Sequence, residues 1–193
     1  KLGLDLRSPE RWEADILEQT IWLLLGGDRP AVCGLLRPLV ASESMYWGFW
    51  EPLVENLLHS GDPDGAYEVV CEGRRRFPNC LLFCRLGFLS CMGLQRYDEA
   101  EWHVKQLLEL NPWGPLEMLY YADVSSKRGN NVLSAGLLQE CAEHRSLSRK
   151  GQIDLGVALA RSGQVHEALG VFRKIEKDGQ ACPLTLNNIG MML

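Results

Sequence analysis

Five positions at one constant step, Gly27, Gly61, Gln95, Gly129 and Gly163, each fall in a polar break between two apolar-periodic stretches. A fixed period of about 34 residues restricts a chain to an array of small repeated units, because each unit must offer the same faces to its neighbours. Four of the five positions are glycine, which adopts positive φ without steric cost, as a sharp reversal between packed helices requires. Each break is therefore predicted to join two antiparallel helices.

The residues around the breaks repeat at the same step. Val32, Ala66, Ala100, Ser134 and Ala168 are mostly small, as close approach of helix backbones demands; Leu36, Val70, Val104, Leu138 and Phe172 follow four positions later, and Leu39, Gly73, Leu107, Cys141 and Ile175 three beyond those. This is a 3.6-period apolar stripe on every second helix. On the first helices Trp50, Leu53 and Leu57 are matched by Met118, Tyr121 and Ser125, by Leu155-Gly156 and Leu159, and by Leu186, Ile189-Gly190 and Leu193. Five two-helix units are predicted at 13–46, 47–80, 81–114, 115–148 and 149–182, after a lead-in at 1–12 and before the first helix of a truncated sixth at 183–193. No such unit buries its apolar face alone, so neighbours must stack. Ser8-Pro9-Glu10 reads as the first helix start, with Ser8 as N-cap. The chain starts without Met and ends inside an apolar pattern, which marks it as an expected fragment of a longer protein.

Composition narrows the function. A formal net charge of −5 and a pI near 5.4 argue against a dedicated nucleic-acid binder, which carries a basic domain or stripe. The one basic cluster, Arg74-Arg75-Arg76, is expected to be the solvated end of a helix. Seven cysteines, an odd number, with no Asn-x-Ser/Thr sequon, fit a reducing, cytoplasmic compartment. No apolar run is long enough to span a bilayer. Cys80, Cys84 and Cys91 near His103, and Cys141 near His144, have no usual zinc spacing, and no P-loop, dinucleotide, nucleophile-elbow or zincin motif occurs. Cys91 and Cys141 lie on the packing stripe, where cysteine acts as a small hydrophobe. His59, His103, His144 and His166 occupy non-equivalent positions and are expected at the surface. No cofactor, metal or catalytic residue is therefore expected, and the chain is read as non-enzymatic.

The lattice resembles the tetratricopeptide repeat (TPR) family, whose pattern is Trp-x2-Leu-Gly-x2-Tyr, a reversal, Ala-x3-Phe and a closing Pro. Its matches here are Leu155-Gly156 with Gly163, Ala168 and Phe172; Trp50 and Leu53 with Gly61, Ala66 and Pro78; and Tyr97-Asp98-Glu99-Ala100 with Pro112. Three departures stand out. Gln19-Thr20 replaces Leu-Gly in the first unit; Leu86-Gly87 lies one position early relative to Ala100, implying a single-position insertion in the reversal or a shifted helix; and Pro52 falls in a first helix, harmless if that helix starts near Phe49. Trp47 and Phe49 cannot share the core face of Trp50, so at least one of them should be exposed or packed on the preceding unit.

The resemblance implies an all-α fold, a right-handed α-solenoid of antiparallel helix pairs, whose first helices line a concave groove that holds a partner peptide or helix. By register this groove presents Glu51, Glu55 and His59; Arg85 and Leu89; Leu119, Tyr120, Asp123 and Lys127; Lys150, Ile153, Asp154 and Val157; then Asn187 and Asn188. A chaperone-type carboxylate clamp is not expected, because Glu51, Glu55 and Asp123 stand where cations would be needed. The groove suits a protein segment with basic and apolar anchors, and the same carboxylates also fit a merely solvated face. The implied function is a protein-interaction scaffold or adaptor. The alternative, a pentatricopeptide-like RNA binder, draws on the run Gly163 to Gly179 and on Thr185-Leu186-Asn187. That family has a period one position longer and uses a basic groove, whereas this chain keeps the shorter step and is acidic.

Overall fold

The computed structural model describes residues 10–42, 46–78, 80–110, 114–144, 147–178, 187–188 and 190–191, with the side chains of Trp47 and Leu110 excepted. Among these residues there are ten labelled α-helices and no strand: α1 (Arg11–Leu25), α2 (Arg29–Ala41), α3 (Trp50–His59), α4 (Pro63–Arg76), α5 (Leu81–Gly93), α6 (Tyr97–Leu110), α7 (Pro115–Lys127), α8 (Asn131–His144), α9 (Arg149–Arg161) and α10 (Val165–Lys177). The chain divides into two compact units, residues 1–103 and 104–193, with the division falling inside α6.

The reversals are built alike. Gly27, Gly61, Gln95, Gly129 and Gly163 all have positive φ, 58° at Gln95 and 76–88° at the glycines. In each, the left-handed residue donates its N–H to a carbonyl three back, and the next residue donates to one five back, as in Asp28 N to Leu23 O at 3.0 Å and Arg96 N to Cys91 O at 2.9 Å. This Schellman pairing satisfies carbonyls that a helix end leaves open. The second donor can also start the next helix: Asp28 accepts from Ala31 N at 3.1 Å, Asp62 from Gly65 N at 2.9 Å and Asn130 from Leu133 N at 3.2 Å.

In the first unit each helix packs on the next from α1 to α5, and α3 also packs on α5. The core stripe is closed to solvent at Val32, Leu36, Ala66 and Val70. Among the described residues Trp50 is the largest buried side chain, and it meets Phe83 edge-on at 5.3 Å between ring centroids. Phe49 is also buried and packs on Trp12 of the preceding helix pair, 6.2 Å away. In the second unit α7, α8, α9 and α10 pack in succession around Leu138, Leu155, Leu159, Ala168, Phe172 and Ile175. Cys91 and Cys141 are buried on the stripe, and burial raises both thiol pKa values, that of Cys91 to about 12. Both thiols therefore stay protonated and act as packing groups.

Several sequence expectations are corrected. The first helix starts at Arg11 and its N-cap is Glu10, whose backbone N–H donates to Glu13 at 2.8 Å in a reciprocal capping box; Ser8 and Pro9 lie outside the described residues. The reversal after α5 holds no insertion, since the ends of α3, α5 and α7, at His59, Gly93 and Lys127, are evenly spaced. The side-chain contact slips instead. A Cβ on Gly156 would lie 2.5 Å from the Phe172 ring, and one on Gly87 2.4 Å from the His103 ring. The two pairs have the same separation in sequence, but relative to the repeat the second sits one position earlier on both helices. His103 is accordingly buried, 2% exposed, where a surface histidine was expected. Burial, with the positive charge of Arg74 second, pushes its pKa down to about 4. Helix α3 starts at Trp50 after a 3-10 turn at Trp47–Phe49, which leaves Pro52 in its first turn as expected.

The basic cluster is not merely solvated. Arg74 lies 4.5 Å over the Trp102 ring, Arg75 pairs with Glu72 at 3.0 Å, and Arg76 donates to Glu72, to Val40 O at 2.9 Å and to Ser42 O at 2.6 Å. Arg76 thus closes the open carbonyls at the end of α2 from the following helix pair.

Three consequences are measurable by urea unfolding followed by circular dichroism. Gln95→Gly removes a left-handed non-glycine residue and should raise stability by about 1 kcal/mol. Gly156→Ala should lower it by about 1–3 kcal/mol through the clash with Phe172, whereas Gly170→Ala, with open space at its Cβ, should gain about 0.5–1 kcal/mol. His103 stays neutral when folded but takes up a proton near its ordinary value of 6.5 when unfolded; stability should therefore fall as pH drops from 6.5 toward 4, by up to about 3 kcal/mol. His103→Gln should flatten the profile in that window.

Candidate functional site

The face predicted for binding lies on first helices. In the first unit it comprises Glu51, Glu55 and His59 on α3 with Arg85 and Leu89 on α5, helices held in register by the Trp50–Phe83 contact. These residues have different electrostatic states. Glu51 forms an ion pair with Arg85 across the two helices, and both are about one-third exposed. Arg85 Nε is buried with no hydrogen-bond partner, so Glu51 provides the main compensation for this half-buried cation. The Glu55 side chain is exposed and has no ion pair among the described residues. Its backbone carbonyl accepts from His59 Nδ1 at 2.7 Å, which requires the histidine tautomer with its proton on Nδ1.

Beside Glu55 opens a cleft of about 670 Å³, lined by Glu55, Leu58, His59, Gly61, Pro63, Leu89 and Gly93. Gly93 keeps it open: a Cβ there would stand 3.0 Å from Pro63 and 3.7 Å from Leu58. Glu55, His59 and Leu89 are thereby brought to one cleft, while Glu51 and Arg85 neutralise each other beside it.

In the second unit Asp123 and Lys127 on α7 and Lys150 and Asp154 on α9 are all exposed. They form one electrostatic group. The pKa of Asp154 is raised first by the protein packed around its carboxyl and also by Asp123, while Lys150 and Lys127 act in the opposite direction. Leu119, Ile153 and Val157 are half-buried and packed against the core of this unit, so only part of each is offered outward. Tyr120 is half-buried. Asn187 is exposed on a helical turn, with its amide 3.6 Å from Met191 Sδ, and Asn188 is half-buried. The proposed start of that helix at Pro183 lies outside the described residues, as do Trp113 and Cys182.

Sequence reasoning missed part of this face. One repeat before Glu55 and His59 stand Ile21 and Leu25, which are 56% and 74% exposed; extending the groove register into the first helix would have found them. It also missed Asn56, which is buried and joins α3 to α2 by donating to Arg29 O at 2.9 Å and Cys33 Sγ at 3.1 Å. Among the described residues no group of three or more His, Cys, Asp or Glu is placed to hold a metal ion, and no helix is long and apolar enough to cross a membrane.

No protein-family model and no curated protein matches the chain in sequence. Solved structures do match in fold. MamA (residue 41 to the end) from Desulfovibrio magneticus aligns with TM-score 0.74 at 14% identity, covering 84% of this chain and 92% of that one. A tetratricopeptide repeat protein from Parabacteroides merdae gives TM-score 0.78 at 10% identity, covering 93% and 71%. A thermophilic TPR protein of Thermus thermophilus gives 0.68 at 16% identity, covering 93% and 99%. With its successive antiparallel helix pairs and left-handed reversals, the chain has the fold of a TPR-like helical-repeat protein.

Proposed function

We propose that the chain is a non-catalytic scaffold of five tetratricopeptide-like repeats that holds a segment of a partner protein along its first helices. The observation that carries this reading is the cleft beside Glu55. It is walled by Leu58, Pro63 and Leu89, and it has at its rim a carboxylate without an ion pair among the described residues. A cleft with apolar walls and few polar groups is a usual form of ligand site, and an exposed, unmatched carboxylate favours a cationic side chain on the partner. The second face, with two carboxylates and two ammonium groups, offers paired rather than single-sign recognition. Seven cysteines without a sequon support a reducing, cytoplasmic setting.

The charge pattern divides the tests. Glu55→Lys should cut partner recovery in an affinity pull-down read by mass spectrometry about tenfold, the equivalent of about 1.4 kcal/mol, with helicity unchanged. Glu51→Lys alone should lower the melting temperature by stranding Arg85, and the swap Glu51→Lys with Arg85→Glu should restore it. Partner recovery that is indifferent to Glu55→Lys removes the groove reading. Tight, sequence-dependent RNA retention on filters at low salt would replace it with an RNA-binding one.

A further inference from the structure

Helix α1 leaves uncovered a position that later first helices bury. Trp22 is 65% exposed, with Ile21 and Leu25 exposed beside it. One, two and four repeats on, the position of Trp22 is held by Asn56, Ser90 and Ala158, each at most 2% exposed. Asn56 shows what this position faces: its side chain donates to Arg29 O and Cys33 Sγ near the start of α2, the second helix of the preceding pair. Helices α5 and α9 likewise pack on the second helices before them, α4 and α8. Among the described residues no helix precedes α1. Trp22 therefore stands where a preceding second helix would lie, and its counterpart is Asn56 rather than the groove residues Glu55 and His59.

The rest of that face is polar. Arg11, Asp15, Glu18 and Gln19 are exposed, and Gln19 takes the position that Leu53 and Leu155 hold, buried, in later pairs. Burying a side-chain amide without hydrogen-bond partners is costly, so this face is built to meet water for at least part of the time, as the outer face of a terminal repeat is. Trp22 is the exception. A large exposed aromatic residue is the usual anchor of an interface, and Glu18 and Asp15 flank it with negative charge. Glu18 lies 3.5 Å from Trp22 Nε1, and Asp15 has no ion pair among the described residues. The combination suits a helix that docks and leaves, with cations facing the two carboxylates.

A helix in that place runs antiparallel to α1, because the contact of Asn56 with Arg29 and Cys33 sets the end of a first helix against the start of the second helix before it. Both helices rise about 1.5 Å per residue, so spacings along α1 carry over to its partner. Glu18 lies four positions before Trp22 and Asp15 seven, on neighbouring turns of one face. We propose that this end face of α1 docks an amphipathic helix of a partner protein, which sets an apolar residue of its first turn on Trp22 and a lysine or arginine four and seven positions later against Glu18 and Asp15. An acidic residue eleven positions on completes the match at Arg11. The surface lies outside the concave groove, and the inference does not depend on the groove reading.

Fluorescence anisotropy with the full 193-residue chain tests it. The probe is a labelled alanine-based peptide of about 20 residues, long enough to hold a helix, with Leu near its start and Lys four and seven positions later. It should bind at least about tenfold more tightly than the same peptide with Glu for both Lys, or with the two Lys moved five and nine positions from the Leu and so off the face. Trp22→Ala should weaken binding at least about tenfold with helicity unchanged, and Asp15→Lys with Glu18→Lys should reverse the preference between the Lys and Glu peptides. No binding, equal binding of the two registers, no reversal, or indifference to Trp22→Ala overturns the proposal. Self-association in sedimentation that Trp22→Ala abolishes gives the face to a second copy of the chain and overturns it as well.

Discussion

The left-handed residue at each reversal is the constraint on which the rest of the structure depends. With positive φ at that residue, two consecutive N–H groups can turn back onto the carbonyls of the helix they leave. The end of one helix and the start of the next are then fixed relative to each other by a short turn, whatever its side chains. The ends of α1, α3, α5, α7 and α9, at Leu25, His59, Gly93, Lys127 and Arg161, consequently fall at one constant interval. Stripes of small and large apolar groups can meet only because the turns hold this step. Once they meet, burial supplies the main favourable term, since no single helix pair carries enough apolar surface to fold alone.

The third helix pair shows which element sets the register. Leu86-Gly87, taken as a ruler, implies either an extra residue in the turn or a shifted first helix. The turn has the same length as the others, and Gln95 adopts the left-handed conformation that glycine adopts elsewhere. The side-chain contact gives way instead: Gly87 accepts the ring of His103 in the manner that Gly156 accepts that of Phe172, one position earlier on both helices. Backbone hydrogen bonds in the turn are saturated and cannot slide without leaving polar groups open. A ring against a glycine can slide by one position if the residue types on both helices change together. The result is a histidine inside an apolar contact, with Nδ1 buried and unpartnered among the described residues.

What was legible in the sequence follows from this difference. Turns and stripes are local and periodic, so the helix pairs, the positive-φ positions, the buried cysteines and the later start of α3 could all be read from spacing. The same spacing placed Glu55, His59 and Leu89 along one face. Their electrostatic states could not be read, because those depend on side chains meeting across helices. Nothing in the run around Glu51 announces Arg85 as its partner, and nothing around Arg76 announces the carbonyls of Val40 and Ser42. Asn56 is similar: in sequence it is one polar residue on a helix, and in space it ties α3 to the first turn of α2. Long-range polar pairing is set by geometry on the scale of ångströms, which a repeat period does not carry.

This division also bears on how the face of the first unit can discriminate. Two carboxylates one helical turn apart on α3 would together attract almost any cation. Pairing Glu51 with Arg85 removes one of them and leaves Glu55 as the carboxylate of α3 without an ion pair among the described residues. Arg85 is half-buried with an unsatisfied Nε, so releasing Glu51 to a ligand would strand a partly desolvated charge, which costs more than a surface ion pair returns. Glu51 is thus held by its neighbour, while Glu55 stays exposed without an ion pair among the described residues. A face that could be taken as uniformly acidic keeps one exposed carboxylate beside the cleft walled by Leu58, Pro63 and Leu89.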